Sequence, residues 1–72
     1  MKLRRNSEYT VQAFAENHPY SDRLMELGLR IGSKLKFIGR ASFSGPYIFR
    51  MGSITLALRE EEAACLTLSS RS

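Results

Sequence analysis

His18, Cys65 and the run Glu60-Glu61-Glu62 are the residues whose side chains could carry chemistry. An imidazole beside a thiol can support nucleophilic attack or grip a soft metal, and clustered carboxylates can move protons or hold cations. Each of these roles needs partners converging from fixed positions, and the chain supplies one histidine and one cysteine. No catalytic constellation is visible, so the sequence argues against an enzyme. Gly28 to Gly32 is no phosphate cradle, because the lysine and hydroxyl that follow the glycines of a P-loop are missing. His18 precedes Pro19 and reads as a loop or helix-start residue, while Cys65 beside Leu66 reads as a small core residue. Both stay as weak metal candidates, and no cofactor is expected.

The element that must position the rest runs from Ser21 to Gly32. Ser21 reads as an N-cap with Asp22 just inside, where a helix dipole favours negative charge. Leu24, Met25 and Leu27 follow on adjoining faces, and Gly28 stands where a helix end needs positive φ. With Leu27 as the last half-helical residue, Leu29 lies back over Leu24 and seals the end. Tyr20 before the cap could staple onto Met25. A helix this short, near residues 21–28, is unstable alone and must plug something larger. Leu24, Leu27 and Leu29 form that plug, Ile31 beyond Arg30 is expected to point inward again, and Gly32 turns the chain into a strand.

The chain has 72 residues, so one domain over 1–72 is expected, with an ordered core of about 8–68 and modest stability. A lone cysteine excludes an internal disulfide and points to a reduced, cytoplasmic setting. Apolar runs are too short to span a bilayer, and Met1 to Arg5 leads into no signal-peptide core. The net charge of +4 sits in the ends: Lys2, Arg4, Arg5 and Arg71 flank a body in which basic and acidic residues balance. A duplex binder carries its basic stripe on the body instead. Lys34, Lys36 and Arg40 cluster around one strand and read as its solvated face.

In chain order, the first eight residues read as a frayed leader. Tyr9 to Glu16 alternates, with Tyr9, Val11, Ala13 and Ala15 on one side and Phe14 on the other. Asn17 to Tyr20 breaks that strand. Ser33 to Arg40 puts Leu35 and Phe37 on one face and carries a bulge or bend at Gly39. Ala41 to Pro46 is a loop, with Phe43 at its centre. Tyr47–Met51 and Ser53–Leu58 form a hairpin turning at Met51-Gly52, with Ile48 or Phe49, then Ile54, Leu56 and Leu58, facing inward. Residues 59–64 suit one helical turn led by carboxylates. Leu66 and Leu68 make a last short strand, and 69–72 is a tail. This is a mainly β pattern: about five antiparallel strands, one short helix and a helical turn near 60–64, closing into a small barrel.

The motif Arg23-Leu24-Met25-Glu26-Leu27-Gly28-Leu29 with Ile31-Gly32, the Gly45-Pro46 loop, the run Ile54 to Arg59 and Glu62-Ala63 resemble the FeoA family of bacterial ferrous iron transport accessory proteins. The resemblance covers residues 9 to 68. It implies an SH3-like barrel in the cytoplasm that works with FeoB, a membrane ferrous iron transporter with a cytosolic GTP-binding domain. It carries over no catalytic or metal-binding residue. Ferrous iron commonly takes three or more imidazole and carboxylate ligands, which a single histidine does not supply.

The expected function is therefore a regulator that docks on FeoB by protein contacts, acting as a monomer or weak homodimer without entering the membrane. Arg23 and Glu26 on the helix, with Arg40, Phe43 and Tyr47 around the loop, are the expected anchors. A divalent transition-metal sensor or carrier using His18 or Cys65 is one alternative. A nucleic-acid binder is another, since small barrels often bind oligonucleotides, although the charge distribution speaks against it.

Overall fold

A computed structural model describes residues 2–42 and 44–70. Phe43 and Arg71, named above, lie outside the described residues. The elements are β1 (Glu8–Phe14), α1 (Pro19–Glu26), β2 (Lys34–Arg40), β3 (Tyr47–Met51), β4 (Ile54–Leu58), α2 (Glu60–Ala63) and β5 (Leu66–Ser70). The five strands form one antiparallel sheet in the order β4-β3-β2-β1-β5. Its curvature has two local sources. The ladder shifts register between Val11 and Ala13 in β1 and between Phe37 and Gly39 in β2, and each such irregularity adds bend and twist.

The concave side holds the core: Tyr9, Val11, Leu35, Phe37, Tyr47, Phe49, Leu56, Leu58 and Leu66, closed by Leu24, Leu29, Ala63 and Cys65. Leu24 and Leu29 are 0 % exposed. Alternation accounts for most of this set. It fails in β1, where the irregularity past Val11 changes the phase, so Phe14 packs against the core rather than away from it. Phe49 rather than Ile48 fills the centre of β3. Ile54, expected inside, is 51 % exposed; it sits on the rung next to the hairpin turn, opposite Met51.

The two chain ends also depart from expectation. Residues 2–7 are docked, not frayed: Leu3 packs on the core, the Arg4 amide donates to the Tyr9 hydroxyl at 2.7 Å, and Asn6 and Ser7 exchange backbone bonds with Phe37. Gly39 has no side chain, and the Arg5 guanidinium lies 3.2 Å from where one would start. At the other end β5 continues through Ser70, since Ser69 and Ser70 find ladder partners in Thr10 and Tyr9.

Candidate functional site

Helix α1 begins earlier than its serine suggests. His18 is the N-cap, its Nδ1 accepting the Tyr20 amide at 3.1 Å, and Pro19 occupies the first turn, where its missing amide costs nothing. Ser21 is instead 2 % exposed on the inner side of the helix, donating its hydroxyl to the Ala15 carbonyl at 2.7 Å. Tyr20, lying inside the helix, stacks on His18 with ring centres 5.2 Å apart and so does not take the staple position.

The helix ends in a Schellman motif. The Leu29 amide donates to the Leu24 carbonyl at 3.2 Å and the Gly28 amide to the Met25 carbonyl at 3.0 Å, with Gly28 at φ +105°. Leu24 and Leu29 plug the barrel. Leu27 does not: it is 41 % exposed, because the narrow buried stripe runs through Ser21 and Leu24 and leaves Leu27 on the flank.

The outer side of α1 and the loop after it thus carry apolar side chains in water: Tyr20 at 38 %, Met25 at 37 %, Leu27 at 41 % and Ile31 at 71 % exposure. Met25 and Ile31, with Ala13 and Phe14, line a shallow groove of about 350 Å³ between α1 and β1, bordered by Glu16 and Asp22. Arg23 and Glu26 are exposed on the same helix. Arg23 Nε pairs with Glu62 Oε2 at 3.1 Å, and Glu62 Oε1 accepts the Arg59 amide at 2.9 Å, which ties α1 to the start of α2.

Of the other expected anchors, Arg40 and Tyr47 are engaged within the fold. Tyr47 is 5 % exposed, so its ring faces the core and offers no partner an aromatic surface. Arg40 lies over that ring, 4.3 Å from its centre, donates to the Gly45 carbonyl at 3.0 Å and pairs with Glu60 at 3.1 Å. The groove lined by Ala13, Phe14, Met25 and Ile31 was not anticipated from the sequence; Ile31, expected to point inward after Arg30, is instead 71 % exposed.

The structure does bring His18 and Cys65 together, with Sγ 3.6 Å from Nδ1 and 3.6 Å from the Glu61 carbonyl. Among the described residues no group of three or more His, Cys, Asp or Glu side chains converges as a metal site. The lone pair of Nδ1 already receives the Tyr20 amide, so a cation there would have to displace the helix cap.

Comparisons with known proteins give a consistent picture. A family model described as the FeoA domain matches residues 2–69. A FeoA-like protein from Clostridium acetobutylicum superposes with a TM-score of 0.89 at 20 % identity, over 99 % of this chain and 83 % of that one. The FeoA protein of Chlorobium tepidum gives 0.84 at 28 % identity, over 99 % and 68 %. The Stenotrophomonas maltophilia FeoA, solved with zinc and described as a procaryotic SH3 domain protein, gives 0.78 at 24 % identity over 94 % and 85 %. No curated sequence matches the chain.

Proposed function

The chain belongs to the FeoA family, an SH3-like domain associated with ferrous iron transport, and from that premise we propose that it is a cytoplasmic accessory protein docking on the FeoB transporter and its GTP-binding domain. The observation that carries this reading is the apolar set Met25, Leu27 and Ile31 left in water on and after a helix whose other side plugs the barrel. A short helix held from within presents a preformed surface, so docking costs little ordering. Its rim of Arg23, Glu26, Glu16 and Asp22 supplies charge for orientation. In this reading the protein performs no reaction and acts by gripping the transporter's cytosolic part. No helix among the described residues is long and apolar enough to cross a membrane.

The test is a binding titration of the full chain against the isolated GTP-binding domain and the whole transporter, with and without nucleotide. Ile31→Glu and Met25→Glu should weaken binding by about tenfold or more while leaving the melting curve in place. Equal binding by the variants would move the docking surface elsewhere, and no binding by the wild-type chain would remove the reading.

The approach of His18 to Cys65 supports a second reading, in which the chain senses or carries a divalent transition metal. One copy then supplies two donors, and the remaining ligands come from a second molecule.

A further inference from the structure

The sheet has two edges, β4 and β5, and they are built differently. β5 pairs with β1 through a ladder broken between Val11 and Ala13, the extra residue lying in β1, and such a break adds local twist to the pair at that edge. β4 pairs with β3 through unbroken rungs from Met51↔Ile54 to Tyr47↔Leu58. Its residues Ile54, Thr55, Leu56, Ala57 and Leu58 include no charge, no proline and no glycine. The devices by which proteins blunt an open edge are absent from it.

The hairpin determines which backbone groups point outward. Gly52, at φ +62°, and Ser53 form a two-residue turn closing on the Met51↔Ile54 rung. Hydrogen-bonded rungs then fall at Ile54, Leu56 and Leu58, and the amides and carbonyls of Thr55 and Ala57 face away from β3. Both residues are exposed.

We infer that β4 is a self-pairing edge, on which two copies of the chain join antiparallel about a twofold axis at Leu56. Thr55 of each copy exchanges both of its backbone bonds with Ala57 of the other. The occupant is a second copy because the edge complements itself in this register. Ile54 comes opposite Leu58, whose side chain is already buried in its own core, and Ser53 comes opposite Arg59. No charge meets its own kind across the axis. A foreign strand would meet the same backbone but no charged side chain along β4 to select it. An edge of five residues makes a contact well below the size of a permanent interface, so the pair is weak and follows concentration.

Sedimentation of the full chain over a micromolar to millimolar series tests this, together with amide exchange at Thr55 and Ala57. A monomer–dimer equilibrium is expected, with those two amides slowing as concentration rises. Thr55→Pro removes only an outward amide, and Ala57→Lys places like charges near the axis. Each should raise the dissociation constant by about tenfold or more; the lysine variant keeps the test open should the proline variant unfold. A chain monomeric at millimolar concentration would overturn the inference, as would a dimer whose Thr55 and Ala57 amides exchange freely. Protection appearing only when the transporter's cytosolic domain is added would assign the edge to a foreign strand and overturn it too. The measurement uses the chain alone, so its outcome is separate from that of the docking reading.

Discussion

The guanidinium carbon of Arg40 lies 4.3 Å from the centre of the Tyr47 ring, on the neighbouring strand at the paired position. The same side chain holds the Gly45 carbonyl and the Glu60 carboxylate, so one residue fastens the β2–β3 loop and the start of α2 to the barrel. A planar guanidinium can stack and bond in its plane together, which an ammonium cannot.

Arg40→Ala is therefore expected to lower stability by about 1–2 kcal/mol in urea unfolding, and Arg40→Lys to recover less than half of that. Glu60→Gln should cost no more than about 0.5 kcal/mol, because the pair is solvent-screened and Glu60 is mostly exposed. A lysine variant as stable as the wild type would show that simple charge, and not the stacked fork, is what the site requires.

Gly28 closes α1 at φ +105°, and the nearest atom to an added Cβ would be the flexible end of Met51 at 3.6 Å. Space is available, so the cost of Gly28→Ala is backbone strain. A loss of about 1 kcal/mol or more is expected, with Gly28→Asn losing less because asparagine tolerates this region better. An unchanged melting curve for the alanine variant would rule out the cap as a source of stability.

Removal of residues 2–5 should lower the melting temperature, since it strips Leu3 from the core, the Arg4 amide from the Tyr9 hydroxyl and the Arg5 cover from Gly39. Burial and hydrogen-bond terms of this size amount to about 1–3 kcal/mol. A truncated chain that melts with the full-length one would return the segment to the status of a free tail.

The barrel was legible because its signals are local and repeated: alternation in β2, the glycine hairpin between β3 and β4, and the Leu24-Gly28-Leu29 helix stop each name their own geometry. The failures have a common cause. Leu3 packs on a core built from distant strands and Asn6 and Ser7 bond to the backbone of Phe37, and nothing in a basic, aperiodic leader announces partners so far along the chain. A change of ladder phase after Val11 turns Phe14 inward, and strict alternation has no means to register it. The helix start was misread because serine is a common cap, whereas His18 takes that place through an imidazole nitrogen and leaves Ser21 to bond within the barrel. The site suffered most, since Tyr47 looks like an anchor by residue type and only its pairing beneath Arg40 shows it to be core.

The His18–Cys65 approach leads to the final expectation, which concerns metal. His18 Nδ1 caps α1 by accepting the Tyr20 amide, and losing such a cap costs about 1 kcal/mol. A zinc ion taken by Nδ1 and Sγ must repay that cost with two ligands from this copy, where stable sites use four. Zinc titration of dilute protein should therefore show no tight one-to-one site, and any binding should strengthen with protein concentration as second copies supply donors. His18→Asn is the informative variant, because asparagine keeps a good cap while removing the imidazole, so stability holds as metal binding falls. Cys65→Ser should have the same effect on metal. Tight one-to-one binding at low protein concentration that both variants abolish would show that further ligands move in, and would favour the metal-carrier reading over that of a protein-docking barrel.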